Sequence, residues 1–281
     1  TFLLRVGELT LKSEQVRRQM IVRLLKNLRT ALKYQKIDYS IDQRWARIFI
    51  NTSQPDKMGK VLSHLFGLRS FSILTRYPCR SHEELLTIAT PFFKEAVKEK
   101  HFAVRSRRDK NNAFSTQKID RELGAQLFPY SAGVDLSNPE VTCFLEVRGK
   151  EIYLYHSKEQ APGGLPLGTE FPALSLISGG FDSPVATWLA MRRGIPCDFL
   201  FFELGGMPHR APIYSHIQQL YNHWMFGQHP RLFIIPGTPI IETLHQKTPS
   251  KYWNVMLKRI FYRVGEKLAQ KYNYLGLVTG E

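Results

Sequence analysis

The sequence predicts a multidomain chain of mixed class, α+β at the start and a doubly wound parallel α/β sheet at the end. Three patterns predict this. The first 75 residues order their apolar periodicities as β-α-β-β-α-β. A helix, a basic strand, a second helix and two more strands follow between residues 81 and 155. From residue 173, near-continuous apolar runs alternate with helical patterns, as strands buried on both faces of a parallel sheet do.

In the first segment, Phe2 to Val6 reads as a strand, and Ser13 opens a long helix. Met20, Ile21, Leu24, Leu25, Leu28, Ala31 and Leu32 share one face of it, and Arg17, Arg18, Arg23, Lys26, Arg29 and Lys33 another. Strands near 37–41 and 46–50, a helix near 58–66 and a strand near 71–75 complete the ferredoxin-like order.

The middle segment opens with a helix over 81–100. In the strand Phe102-Ala103-Val104-Arg105-Ser106-Arg107-Arg108-Asp109-Lys110, alternation puts Phe102 and Val104 opposite Arg105 and Arg107. A helix from Ser115 or Thr116 follows through Ile119, Leu123 and Leu127 and ends at Phe128-Pro129, then strands at 141–147 and 151–155 across a Gly149-Lys150 turn. Such a strand offers Arg105, Arg107, Arg108 and Lys110 to phosphates, contacts that position a nucleic acid without reading its bases. The Pro/Gly-rich run Ala161 to Thr169 marks a boundary.

In the third segment, Leu174 to Ile177 is a strand that breaks into Ser178-Gly179-Gly180-Phe181-Asp182-Ser183-Pro184. Ser183 is expected as N-cap and Pro184 as the first helical residue. Val185, Trp188, Leu189 and Met191 are the expected apolar face, with Gly194 as the stop. A Gly-rich turn feeding a helix N-terminus is an anion site, most often for phosphate. A strand at 196–204, a helix at 211–226, a strand at 232–235, a helix at 252–272 and a strand at 274–279 continue the alternation. The Walker A and G-x-G-x-x-G patterns are absent. His216 and His223 lie seven apart with no third ligand, so they are read as surface or core residues, and Cys197 as packing.

Net charge is +15 and uneven. Residues 1–75 carry 14 Lys+Arg against 5 Asp+Glu, residues 76–172 carry 14 against 13, and residues 173–281 carry 11 against 6. A surplus concentrated at one end points to a polyanion, most simply nucleic acid. Cys79, Cys143 and Cys197 are odd in number and far apart, which supports neither a disulfide framework nor a zinc site. With no signal-peptide pattern and no apolar run of membrane-spanning length, the chain is expected to be cytoplasmic and off the membrane.

Ser178 to Pro184 resembles the signature of the PP-loop ATP pyrophosphatases, and the stretch from Phe102 to His156 resembles a THUMP RNA-binding domain. Together with RVGELTLK (5–12), HLFGLRSFS (64–72), PGGLPLGT (162–169) and LVTGE (277–281), these resemble the tRNA 4-thiouridine synthetase (tRNA sulfurtransferase) family along essentially the whole chain. The resemblance implies a ferredoxin-like domain over 1–76, a THUMP domain over 77–160, a linker over 161–172 and a PP-loop (adenine nucleotide alpha hydrolase-like) domain over 173–281. It implies ATP-dependent adenylation of O4 of the uridine at tRNA position 8, with Mg²⁺ on the phosphates. Persulfide sulfur then displaces AMP, and sulfur also goes to the thiazole of thiamine.

By the same resemblance, Ser178, Gly179, Gly180 and Ser183 cradle pyrophosphate, and Asp182 is the acid needed for adenylation. Leu176, Ile177, Phe201 and Phe202 contact the nucleotide, although both phenylalanines read equally well as plain core. Lys258 and Arg259 stand near the phosphates, Lys258 reading also as a solvated helix residue, and Gly280 lies in the closing turn. The implied partners are tRNA, bound also through Arg17 and Arg18, a cysteine desulfurase, a thiazole-pathway sulfur-carrier protein and a second copy of the chain. The family's sulfur-carrying cysteine lies beyond the TGE turn, so this sequence reads as a fragment cut within the PP-loop domain. Two rivals are a small-molecule PP-loop synthetase, which needs no basic first segment, and a non-enzymatic tRNA binder, which needs no Asp182.

Overall fold

A computed structural model of the chain describes residues 1–44, 47–109, 114–205 and 210–280. It forms two compact units. One holds Thr1–Leu4, Ser40–Thr52 and Phe71–Glu159; the other holds Arg5–Tyr39, Ser53–Ser70 and Gln160–Glu281. The ferredoxin-like segment thus contributes to both.

That segment consists of β1 (Phe2–Val6), α1 (Glu14–Tyr34), β2 (Ser40–Arg44), β3 (Arg47–Asn51), α2 (Pro55–Leu62) and β4 (Leu68–Ile73). Its strands run in the order β4-β1-β3-β2, as the ferredoxin-like arrangement requires. The apolar face expected of α1 is buried, and Asn27 is buried with it, its Nδ2 donating to the Leu167 carbonyl at 2.9 Å. The strand expected from Ile37 begins three residues later. Lys36 takes φ +52° and the Ile37 N–H reaches back to the Leu32 carbonyl, so Ile37 is the buried apolar residue of a Schellman helix end. The helix expected at 58–66 starts at Pro55, which suits a first turn with unbonded N–H groups.

The middle segment adds β5 (Thr75–Pro78), α3 (His82–Val97), β6 (His101–Arg108), α4 (Thr116–Leu127), β7 (Gly133–Val134), β8 (Val141–Arg148) and β9 (Glu151–Tyr155) in the sheet order β5-β9-β8-β6-β7. Ser81 and Ser115 cap α3 and α4, accepting from the Glu84 and Lys118 N–H groups. Phe102 and Val104 join both helices in one core, leaving Arg105 and Arg107 exposed. In the same unit the buried Glu146 carboxylate meets Arg47, Arg148 and the Tyr155 hydroxyl. Burial pushes its pKa up, but Arg47 and the other partners outweigh that and hold it below the usual value. A short strand β10 (Glu159–Gln160) flanks β4.

The third segment runs β11 (Ala173–Leu176), α5 (Asp182–Arg192), β12 (Cys197–Glu203), α6 (Arg210–Trp224), β13 (Leu232–Pro236), α7 (Thr238–Lys247), α8 (Trp253–Tyr272) and β14 (Leu277–Val278). All four strands are parallel, in the order β13-β12-β11-β14. Met191, Ile213 and Leu220 from α5 and α6 cover one face with Phe199 and Phe201. Leu200 and Phe202 pack on the other with Ala269 of α8, with Ile240 of α7 at its margin. This is the doubly wound arrangement. Helix α7 has no counterpart among the expected elements: Pro239 reads in the sequence as a break between elements, but it sits in the first turn of a helix. The strand expected at 274–279 pairs only over Leu277–Val278.

Candidate functional site

The chain runs out of β11 with the Ile177 N–H bonded to the Leu200 carbonyl at 2.9 Å, so the strand's end is fixed. Ser183 is not an N-cap: Phe181 holds that position, and Asp182, Ser183 and Pro184 form the first turn of α5. The Ser183 hydroxyl turns inward instead. It accepts the Ser178 N–H at 2.9 Å and lies 3.1 Å from the Ser178 hydroxyl, closing the loop. One turn below, Thr187 donates to the Ser183 carbonyl at 2.7 Å and meets the Ser175 hydroxyl at 2.6 Å. The buried face of α5 is therefore Ser183, Thr187 and Met191. Val185 and Leu189, expected inside, are exposed, because small hydroxyl side chains take the inner positions.

A cleft of about 1050 Å³ opens where the strands end. It lies beside the switch point, since the chain leaves β11 toward β12 and returns to its other edge as β14. Leu176, Ile177, Phe201 and Phe202 line its base, and Ser178, Gly179, Asp182 and Ser183 its loop side. Lys258, Phe261 and Tyr262 come from α8, and Thr279 and Gly280 from the final turn. Phe201 and Phe202 are core residues that also border the cleft. Each is 7% exposed and packed on opposite sheet faces, yet each reaches the cleft, Phe202 stacked on Phe261 at 4.0 Å. Among the described lining residues, Asp182 is the one carboxylate and Lys258 the one cation. Gly180 and Arg259 do not line the cleft, and Arg259 points to solvent. At the end of β12, Glu203 accepts from Arg210 at 2.7 Å, which holds its carboxyl below the usual range.

The sequence reading missed Phe261 and Tyr262. They stand three and four residues after Lys258, on the face that helical spacing gives it, and that period was the available signal.

Among the described residues, no cluster of three or more His, Cys, Asp or Glu could hold a metal. His223 packs near His64 at 5.3 Å, and His216 lies apart beside Phe181. All three cysteines are buried, and burial pushes the Cys143 and Cys197 thiols up to about 12.

Of the residues expected to hold RNA, Arg105, Arg107 and Arg108 lie exposed along β6, with Arg105 donating to the Leu136 carbonyl at 2.7 Å. On α1, Arg18 is exposed and pairs with Glu14, while Arg17 is half-buried. Lys110 lies outside the described residues.

Comparison with known proteins fits this architecture. Residues 1–72 match the ThiI ferredoxin-like domain, 79–157 the THUMP domain and 168–281 the thiamine biosynthesis protein (ThiI) family. The probable tRNA sulfurtransferase of Saccharolobus solfataricus is 37% identical over 275 residues, which cover 98% of this chain and 72% of that protein. The chain belongs to the tRNA sulfurtransferase family. The tRNA sulfurtransferase of Thermoplasma acidophilum is 34% identical across all of this chain, which spans only 57% of that relative's length. A solved structure, a 4-thiouridine synthetase–RNA complex with bound ATP, superposes on the whole chain and on 73% of its own with a TM-score of 0.78 at 26% identity.

Proposed function

We propose that the chain performs the ATP-dependent part of 4-thiouridine synthesis in tRNA. In this reading O4 of the uridine at position 8 attacks the α-phosphorus of ATP bound in the cleft. The bond to the β-phosphate breaks and pyrophosphate leaves, so a poor leaving group on C4 becomes AMP. The outer sulfur of a persulfide, supplied through a cysteine desulfurase, then bonds to C4 as AMP leaves, and a second thiol cleaves the remaining S–S bond, giving 4-thiouridine and a disulfide. Delivery of sulfur to a thiazole-pathway carrier and assembly as a homodimer belong to the same reading.

The observation that carries it is the loop itself. Neither Gly179 nor Gly180 has a φ in the left-handed region, and a Cβ at Gly179 would meet nothing within 4 Å. The fold does not need glycine there, whereas a pyrophosphate approaching the backbone does. Ser178, Gly179 and Ser183 would cradle it, Lys258 would neutralise its charge, and Leu176, Ile177, Phe201 and Phe202 would border the nucleoside, with Gly180 outside the cleft lining. Arg259 stands outside this set. The donor set fits Mg²⁺ held by one carboxylate, Asp182, and otherwise by phosphate oxygens. When bound, the ion would spread the negative charge of the polyphosphate. On β6, Arg105, Arg107 and Arg108 would hold RNA phosphates. The buried thiols of Cys79, Cys143 and Cys197 are poorly placed to carry sulfur.

The test is pyrophosphate release from ATP, with and without unmodified tRNA. Release should require tRNA, and Asp182→Asn should lower it by about a hundred-fold or more while tRNA still binds. Release independent of tRNA would favour a small-molecule substrate, and a fully active Asp182→Asn would remove the role given to that carboxylate.

A further inference from the structure

Phe181 is the loop residue that the cleft does not explain. It stands between Gly180 and Asp182, makes no capping hydrogen bond, and is 80% exposed. Its ring is not part of the cleft lining but sits on the α6 side, 6.0 Å from the His216 ring and tilted 48° to it. Val185, one turn along α5, continues the same apolar strip at 55% exposure. Exposed phenylalanines scattered over a surface need no explanation. This one interrupts a phosphate-type loop whose other members are small or acidic, directly beside the only carboxylate among the described lining residues.

The reaction proposed above supplies a reason. A uridine in folded RNA is stacked on its neighbours, and its O4 reaches a nucleotide in the cleft only after the base is turned out. A turned-out base loses that stacking unless an aromatic face replaces it, and such faces take any base because every base has a π-surface. An exposed ring at the loop that holds the phosphates stands at the border the base must cross, with the imidazole of His216 as a second flat group beside it.

We infer that Phe181, with His216 beside it, is the platform on which the incoming uracil stacks while its O4 is presented to ATP. This assignment rests on the reaction proposed for the cleft. Phe181→Leu keeps apolar bulk and removes the π-face; Phe181→Trp keeps the face. In the full chain, F181L should lower kcat/KM for unmodified tRNA by about five- to a hundred-fold. ATP affinity should change by less than about two-fold, because the ring lies outside the cleft. F181W should stay within about three-fold of the parent. The added indole gives a readout independent of turnover, taken as the difference from the parent's four tryptophans. Its emission should be quenched by unmodified tRNA, and not by a transcript whose target nucleotide lacks its base.

Equal losses in both variants, an F181L enzyme as active as the parent, or emission unmoved by tRNA would each overturn the platform. Emission that follows protein concentration rather than RNA would assign the strip to a second copy of the chain and would overturn the platform as well. A parent that binds tRNA without releasing pyrophosphate would break the reaction reading alone, because quenching still reports the stack. A parent that binds no tRNA would remove both.

Discussion

Gly280 and Gly179 line the same cleft, yet a methyl group would meet different surroundings at each. At Gly280 it would lie 2.6 Å from the Ser183 nitrogen and 2.7 Å from the Asp182 carbonyl carbon, inside the backbone of the first turn of α5. At Gly179 it would meet nothing within 4 Å. One glycine is therefore kept by the protein's own packing. The other stands in open space that the fold leaves in front of the loop. The cleft is built from both kinds of residue, and the kind decides whether a substitution is felt in stability or in binding.

The largest effect is expected at Gly280. Backbone atoms cannot rotate out of the way of a Cβ, so Gly280→Ala must part the final turn from α5, at an overpacking cost of about 1–3 kcal/mol. Because that turn and Asp182 are neighbours across the contact, pyrophosphate release should fall by about a hundred-fold or more. Denaturant titration alongside turnover checks both. An alanine variant with parental stability would mean that the contact is slack and that the two glycines do not differ on the packed side.

Thr187→Val comes next. The substitution keeps the shape and removes the hydroxyl that receives the Ser175 O–H and serves the Ser183 carbonyl. Ser175 is fully buried and would be left without its acceptor, so about 1–3 kcal/mol of stability should go. Folded protein should still bind ATP, since Thr187 does not line the cleft. Loss of ATP affinity at unchanged stability would place Thr187 on the ligand side of the divide.

These contacts also mark what could be read from the sequence. The strand–loop–helix around Ser178 to Ser183 was legible because its parts are adjacent in the chain and its glycines and acid are unusual together. The inner face of α5 was not. Apolar spacing picks Val185 and Leu189, while the helix buries Ser183 and Thr187, whose hydroxyls look solvent-seeking until partners appear from β11 and the loop. Helix α7 is hidden by Pro239, which reads as a break but is a first-turn residue. Lys36 in a left-handed conformation conceals the Schellman end of α1, for which glycine is the usual sign. The ion pair of Glu146 joins residues 99 positions apart and carries no local signal. Lys258 lines the cleft, but Arg259 beside it points elsewhere, because neighbours on a helix are about 100° apart.

Gly179→Ala carries the smallest expected change in stability, and its sign is what matters. The position has no left-handed φ and no steric neighbour, so alanine costs the native state nothing and reduces the freedom of the unfolded chain. The variant should be as stable as the parent or more so, by up to about 1 kcal/mol. On the function proposed above its ATP affinity should nonetheless fall, because the new methyl would stand where phosphate oxygens approach the backbone, and the loss should shrink for adenosine, which brings no phosphate. Calorimetric melting without ligand, followed by titration with ATP and with adenosine, separates the two effects. A destabilised variant would show that Gly179 belongs with Gly280 after all. Unchanged affinity for ATP would move the phosphates off this loop.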